Sequence, residues 1–172
     1  MNEVKNCVVI GASGGIGTEI SKKISELDYN LFLVGQNGKK LLKLKSEILK
    51  KNKKIKIEIE TVDLTKDQSI KNVIKKIRKK FGVIDILINT AGLFMIKSLV
   101  NSSIEDFDNS FRINVRAPFI FSKEFSKDMK KKKWGRIINI GSSSSYTGFK
   151  NGTVYCSTKH SLLGLSRALF TE

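Results

Sequence analysis

Cysteine, proline and arginine are scarce in this chain of 172 residues, which has two cysteines, one proline and only five arginines among its 32 basic side chains. Two cysteines build no disulfide framework and offer no metal-ligand spacing, so no metal is expected. Cys7 lies in an apolar run and reads as core. Cys156 reads as a packed helix residue, with a reactive thiol as the alternative. No apolar run approaches the roughly 20 residues of a membrane span, and MNEVKNCVVI lacks the apolar region of a secretory signal. The expectation is a cytoplasmic protein with no membrane partner. Acids are half as numerous as bases, 16 against 32, leaving a net charge of +16. Such a balance favours anionic partners. The bases are mostly lysines spread over nearly every helical pattern, however, and no aromatic-interleaved basic stripe appears. The charge reads as a solvated surface that modestly assists an anionic cofactor, and nucleic acid is not expected as a partner. The length suits one domain with a real core.

What is present is an alternation of strand and helix patterns. KNCVVI, Lys5 to Ile10, is a short buried strand that runs into GASGGIG. A helix follows, with Ile16, Ile20, Ile24 and Leu27 at helical spacing. Gly11 allows the tight turn, Gly15 lets backbone approach a pyrophosphate, and Gly17 lets helix and strand pack closely. The free N–H groups at the helix start would face the phosphates. A glycine-rich loop alone is often only a turn, but this one has the strand–helix context that binding requires. Asn30 to Val34 is a second strand, followed by Gly35 and Gln36. An acid at that strand end would hold the ribose hydroxyl of NAD. Gln36 is neutral, with Lys39 and Lys40 beyond it, which favours NADP(H) over NAD(H).

The pattern continues with a helix over 39–51, a strand over 55–62, and a helix that Thr65 and Gln68 would open as a capping box. A strand over 85–89 leads into Asn89-Thr90-Ala91-Gly92. Ser102 and Glu105 would cap a helix carrying Phe107, Phe111 and Val115. Trp134 reads as a packing residue before a fifth strand, 135–140. This order specifies an α/β fold, a Rossmann-like doubly wound, mostly parallel sheet with helices on both faces. Pro118, inside the pattern from Phe111 to Lys127, cannot donate to the carbonyl of Asn114. Either it kinks the helix and frees that carbonyl for a water, or it begins a second helix.

The stretch SSSSYTGFKNGTVYCSTK sets Ser142 13 residues ahead of Tyr155 and Lys159 four residues beyond it. On a helix, i and i+4 share a face. A phenol titrates near ~10 in water. A nearby ammonium favours the phenolate and suits Tyr155 to proton transfer near neutral pH, while Ser142 can hydrogen-bond the same reacting oxygen. Tyrosine and lysine also meet at this spacing by chance. His160 is not assigned a role, because i+1 points elsewhere on a helix.

Taken together, these residues resemble the short-chain dehydrogenase/reductase family from Val8 to about Leu169. Gly11, Gly15 and Gly17 match the family's cofactor loop, which also holds Ser13 and Ile16. Asp63, with Leu64 beside it, matches the acid that contacts adenine, and Asn89, Ala91 and Gly92 match the N-N-A-G turn. Asn114, Ser142, Tyr155 and Lys159 match the catalytic tetrad. The resemblance implies that Tyr155 is the general acid or base and that Ser142 polarises the substrate oxygen. It implies that Lys159 binds the nicotinamide ribose and lowers the Tyr155 pKa, and that the Asn114 carbonyl holds a water linked to Lys159. The implied activity is NAD(P)-dependent hydride transfer to or from a small carbonyl or secondary alcohol, in a homo-oligomer built through the helices carrying Asn114 and Tyr155. Ile10 and Thr90 depart from the family pattern. Only 13 residues follow Lys159, whereas the family continues with another strand, a substrate-binding segment and a last strand. The chain thus reads as a C-terminally truncated member with its last strands missing. The alternative is a catalytically impaired dinucleotide-binding or interaction protein.

Overall fold

The computed structural model describes residues 4–172. The expectation that no secretory leader opens the chain rests partly on residues 1–3, which lie outside the described residues. The elements are β1 (Asn6–Ile10), α1 (Gly15–Ser25), β2 (Asn30–Gly35), α2 (Gly38–Lys51), β3 (Ile57–Thr61), α3 (Asp67–Phe81), β4 (Ile86–Asn89), α4 (Ile104–Phe111), α5 (Ala117–Lys132), β5 (Arg136–Asn139) and α6 (Thr153–Thr171). All strand pairs are parallel, in the order β3-β2-β1-β4-β5. The chain reverses its direction of travel across the sheet between β1 and β4. The crevice at the carboxyl ends of these two strands is where such folds bind ligands.

Alternation along the central strands divides the core into two layers. Val8, Ile10, Phe32, Val34 and Leu87 pack with Ile70, Val73 and Ile77 of α3 and with Phe121 and Phe125 of α5. Cys7, Val9, Leu31, Leu33, Ile86 and Ile88 pack with Leu41, Leu44 and Ile48 of α2, and Ile20 and Ile24 of α1 lie against them. This is a Rossmann-like doubly wound sheet with helices on both faces. β5 is the open margin: Ile138 is 43% exposed, although Ile88, its partner in the register, is buried. At the end of the sheet opposite the crevice, the Asp85 carboxylate accepts from the Asn6 N–H at 2.9 Å and from Lys132 Nζ at 2.8 Å, which ties α5 to the strands.

Several local expectations are corrected. The helix after β1 does not bury Ile16 or Leu27, which are 59% and 58% exposed; it turns Gly17, Ser21 and Ser25 inward. A helix that starts this close to the sheet has room only for small side chains. The Thr65–Gln68 capping box does not form. α3 starts at Asp67 with Lys66 at the N-cap position and no side-chain cap, which leaves Thr65 one residue too early to accept from the first-turn N–H groups; its hydroxyl donates to the Asp63 carboxylate at 2.6 Å. The cap of α4 is one residue later than expected: Ser103 and Asp106 form the reciprocal box, while Ser102 donates to the Ser98 carbonyl. Pro118 begins a second helix, one of the two readings of its position. A π turn, Arg112–Arg116, bridges α4 and α5 with the Ala117 N–H on the Arg112 carbonyl, and Pro118 occupies the first turn of α5, where its missing N–H is tolerated.

Candidate active site

The carboxyl ends of β1 and β4 carry a cradle made of backbone. Gly11 has φ +92°, and a Cβ there would fall 2.5 Å from the Ala91 nitrogen. A Cβ on Gly17 would fall 2.3 Å from the Gly11 carbonyl oxygen, so α1 touches the turn directly. At Gly15 an added Cβ meets nothing within 4 Å, which leaves an open approach to backbone. The N-cap, Gly14, provides no side-chain cap, and no acid stands in the first turn of α1. The first-turn N–H groups are therefore available to an anion. Ile16 sits at this helix start with its side chain in solvent. The turn is pinned by the Gly11 and Ala12 N–H groups, which both donate to the Val34 carbonyl.

Towards the adenine end, Ser13 lies against the end of β2: a Cβ on Gly35 would stand 2.4 Å from its Oγ. Gln36 is exposed beside it, followed by Asn37, whose side chain caps α2 by accepting from the Lys40 N–H at 3.0 Å. Asp63 accepts from the Thr65 hydroxyl and N–H, and these bonds, helped by Lys66, hold its carboxyl below the usual range. Leu64 beside it is buried. A glycine cradle facing an uncapped helix start, with an ionised carboxylate further along the same edge, fits a dinucleotide.

The second half of the site is made of side chains. α6 presents Tyr155 and Lys159 on one face. Lys159 is only 5% exposed; its Nζ donates to the Ile140 carbonyl at 2.9 Å and stands 5.8 Å from the centre of the Tyr155 ring. Burial pushes the Lys159 pKa down. Ser142 follows β5 and caps a short 3-10 turn, Ser143–Ser145, by accepting from the Ser144 N–H at 3.1 Å. That bond leaves the hydroxyl hydrogen of Ser142 able to point elsewhere. Asn114 is buried in the π turn. Its amide donates to the Leu93 carbonyl at 3.0 Å and to the Thr158 hydroxyl at 2.9 Å, and its Oδ1 accepts from the Leu93 N–H at 2.6 Å. One side chain thus joins the loop after β4 to α6. Gly92 lies beside both groups, since a Cβ there would be 3.6 Å from Asn114 Oδ1 and 3.8 Å from Lys159 Nζ. The Ala91 N–H holds the Ile10 carbonyl at 3.0 Å. Asn89 points into the sheet instead, donating to Asn139 Oδ1 at 2.8 Å, which makes it a brace for the turn. His160 is exposed and turns its Nδ1 to the Cys156 carbonyl, away from this cluster. Cys156 is a buried free thiol.

A family model described as short chain dehydrogenase matches residues 5–172. The chain belongs to the short-chain dehydrogenase family. It is 35% identical over 168 residues to the 3-oxoacyl-(acyl-carrier-protein) reductase FabG of Rickettsia typhi, covering 98% of this chain and 66% of that relative. It is 29% identical to the uncharacterized oxidoreductase YxjF of Bacillus subtilis, covering 93% of this chain and 62% of the relative. The chain therefore spans about two thirds of the length of these curated relatives. An alcohol dehydrogenase from Thermococcus sibiricus, solved with 5-hydroxy-NADP, superimposes with a TM-score of 0.90 at 28% identity, over 97% of this chain and 70% of that one. A metagenomic short-chain oxidoreductase solved with NADP gives 0.91 at 28% identity, over 96% and 74%.

Four residues of this short-chain dehydrogenase site escape the sequence patterns. Thr90, which replaces the second asparagine of the turn, donates to the Ile10 carbonyl at 2.8 Å and fills the space beside Gly11 and Gly17. Thr158 anchors Asn114. Phe94 and Phe149, both in loops, lie against the Tyr155 ring. Loop residues carry no periodicity, so nothing in the sequence ties these two aromatics to a tyrosine on α6.

Proposed function

We propose that the chain forms one NAD(P)-binding domain and catalyses hydride transfer between a nicotinamide cofactor and a carbonyl or secondary-alcohol substrate. The carrying observation is the buried Lys159 beneath Tyr155, joined through the Thr158–Asn114–Leu93 bonds to the turn that leaves β4. Bound nicotinamide supplies the hydride in reduction and accepts it in oxidation. Tyr155 gives its phenolic proton to the carbonyl oxygen as charge grows there, and takes it back in the reverse direction. Ser142 donates a hydrogen bond to the same oxygen. Lys159 holds the cofactor ribose and, through a water on the Asn114 carbonyl, replenishes the Tyr155 proton; Pro118 leaves that carbonyl without its usual helical N–H partner. Gly11, Ser13, Gly15, Ile16 and Gly17 receive the phosphates, Asp63 and Leu64 the adenine, and Asn89, Ala91 and Gly92 the turn beneath the nicotinamide.

NADP(H) is the favoured cofactor. Gln36 brings no carboxylate to the end of β2, Lys39 and Lys40 are exposed just beyond it, and two structural relatives were solved with NADP or a derivative. A fluorescence titration with NADPH and NADH, with thermal unfolding alongside, tests this: NADPH binds tighter and raises the melting temperature more. Equal affinities remove the argument from Gln36. Turnover is tested by NADPH oxidation against a ketone panel that includes a 3-oxoacyl compound, after the 3-oxoacyl-(acyl-carrier-protein) in the name of the Rickettsia relative.

The chain acts as a homo-oligomer in the cytoplasm. Phe111, Val115, Phe119 and Leu165 line an open groove shared by α4, the π turn, α5 and α6, with Asp67, Asp108, Arg112 and Arg116 beside them; apolar side chains among charges of both signs suit burial against a second copy. Phe119→Glu is expected to shift sedimentation towards monomer; a parent chain that already sediments as a monomer removes this part of the reading. Among the described residues, no helix is long and apolar enough to cross a membrane.

A further inference from the structure

We infer that Phe94 and Phe149 form an aromatic wall around the phenol of Tyr155 that selects carbonyl substrates bearing a flat, apolar ring next to the reacting carbon. The inference rests on the reductase reading above and names the substrate class for that site.

The Phe94 ring meets the Tyr155 ring edge-on, with centroids 4.7 Å apart and planes at 85°. Phe149 lies 6.4 Å from Tyr155 and 6.3 Å from Phe94, so the three rings form a closed triangle. Two of its members are open to solvent, Phe94 at 59% and Phe149 at 40%. Solvent-exposed aromatics are common singly, but two converging on one phenol are an incomplete apolar surface. Both are held in place. Phe94 follows Leu93, whose N–H and carbonyl are both bonded to the Asn114 amide. Phe149 lies flat on the backbone of Gly152, where a Cβ would come within 2.6 Å of its ring. The two loops are stitched together by the Lys97 N–H on the Asn151 carbonyl at 2.8 Å. The wall is therefore pre-formed, so a substrate ring entering it loses little to loop ordering. Ring pairs favour edge-to-face and offset contacts beyond their area burial, which a flat substituent satisfies and a hydroxylated chain does not.

The test compares acetophenone with acetone as substrates for the full chain with NADPH, in the parent, Phe94→Ala, Phe149→Ala and Gly152→Ala, the last displacing Phe149 without removing it. The parent is expected to favour acetophenone in kcat/KM, and each variant to reduce the acetophenone-to-acetone ratio by about tenfold, mainly through KM. In parallel, saturation-transfer NMR follows acetophenone binding to the chain loaded with NADP, and NADPH fluorescence confirms that each variant still folds and binds cofactor. Phe94→Leu, which keeps apolar bulk without a ring, replaces Phe94→Ala if the latter loses NADPH. An unchanged ratio in variants that turn over both ketones overturns the wall and leaves the reductase reading intact. If neither ketone is reduced but the parent binds acetophenone and the variants do not, the wall stands and the reductase reading fails. No acetophenone binding to a parent that binds NADPH overturns the wall outright.

Discussion

The turn after β1 and the stretch from β5 to α6 face the same crevice but are built in opposite ways. The first is nearly all backbone: Gly11, Gly15 and Gly17 are present because a side chain would collide with Ala91 or Gly11, or would stand where a ligand must approach. The second is nearly all side chain: Lys159, Asn114 and Ser142 are held by hydrogen bonds that span 19 to 44 residues of sequence or cap a local turn, and the Tyr155 ring by contacts with Phe94 and Phe149. Their surroundings differ too. β1 is buried along most of its length, whereas β5 alternates between exposed and half-buried. Where the backbone-built region is closed, at Gly11 and Gly17, an added atom costs stability and binding together, whereas at Gly15, where it is open, an added atom obstructs only the ligand. A side-chain-built region lets chemistry be removed while the fold remains.

The largest expected effect breaks the second region alone. Tyr155→Phe should lower turnover by about a hundredfold to ten-thousandfold, the range for a general acid, with NADPH affinity nearly retained; turnover equal to the parent would sink the assignment of Tyr155. Next comes Phe121→Ala, in the packed layer that both regions share. Phe121 is fully buried, and its loss should cost about 3–5 kcal/mol in denaturant unfolding, removing cofactor binding and turnover only by unfolding. Gly17→Ala sharpens the contrast, because its Cβ runs into the Gly11 carbonyl oxygen. A loss of about 1–3 kcal/mol is expected, together with weaker NADPH binding. Gly15→Ala is the control: it should leave stability equal or higher by up to about 1 kcal/mol while still weakening NADPH. If both glycine variants change stability and binding in parallel, the cradle is not open at Gly15.

The smallest effect concerns the loop that carries the wall. The Lys97 ammonium, and then the Ser103 N–H, hold the Asp106 carboxyl at about 2 instead of its ordinary 3.8. As pH falls, the unfolded chain takes up this proton before the folded chain does. The stabilisation is therefore complete above the unfolded value and is lost as pH falls through about 2. Asp106→Asn should melt below the parent at neutral pH, with the gap closing in acid. A gap that persists at the lowest pH would mean that the contact is not electrostatic.

The strand–helix alternation and the motif spacings were legible because they are local. A buried strand before a glycine turn, or Tyr155 and Lys159 one turn apart, follows from backbone geometry within a few residues. Pro118 shows where local reasoning reaches its limit: its missing N–H was readable, but the π turn that places Asn114 was not. The same holds for the caps. Thr65 and Gln68 had the spacing of a capping box, yet α3 begins one residue later, with Lys66 at its N-cap, and the Thr65 hydroxyl donates to Asp63. Ile16 fitted an apolar stripe, yet the close approach of α1 to the sheet turned it outward.

By itself, the sequence determined the doubly wound order, the family, and which side chains stand one turn apart, since each depends on periods and spacings set by the covalent chain. Only the tertiary structure decided that Asn114 clamps Leu93 to Thr158, that Thr90 closes the glycine turn, and that Phe94 and Phe149 meet at Tyr155. Those contacts join residues whose separations have no period, and they exist only once the sheet brings their loops to one edge.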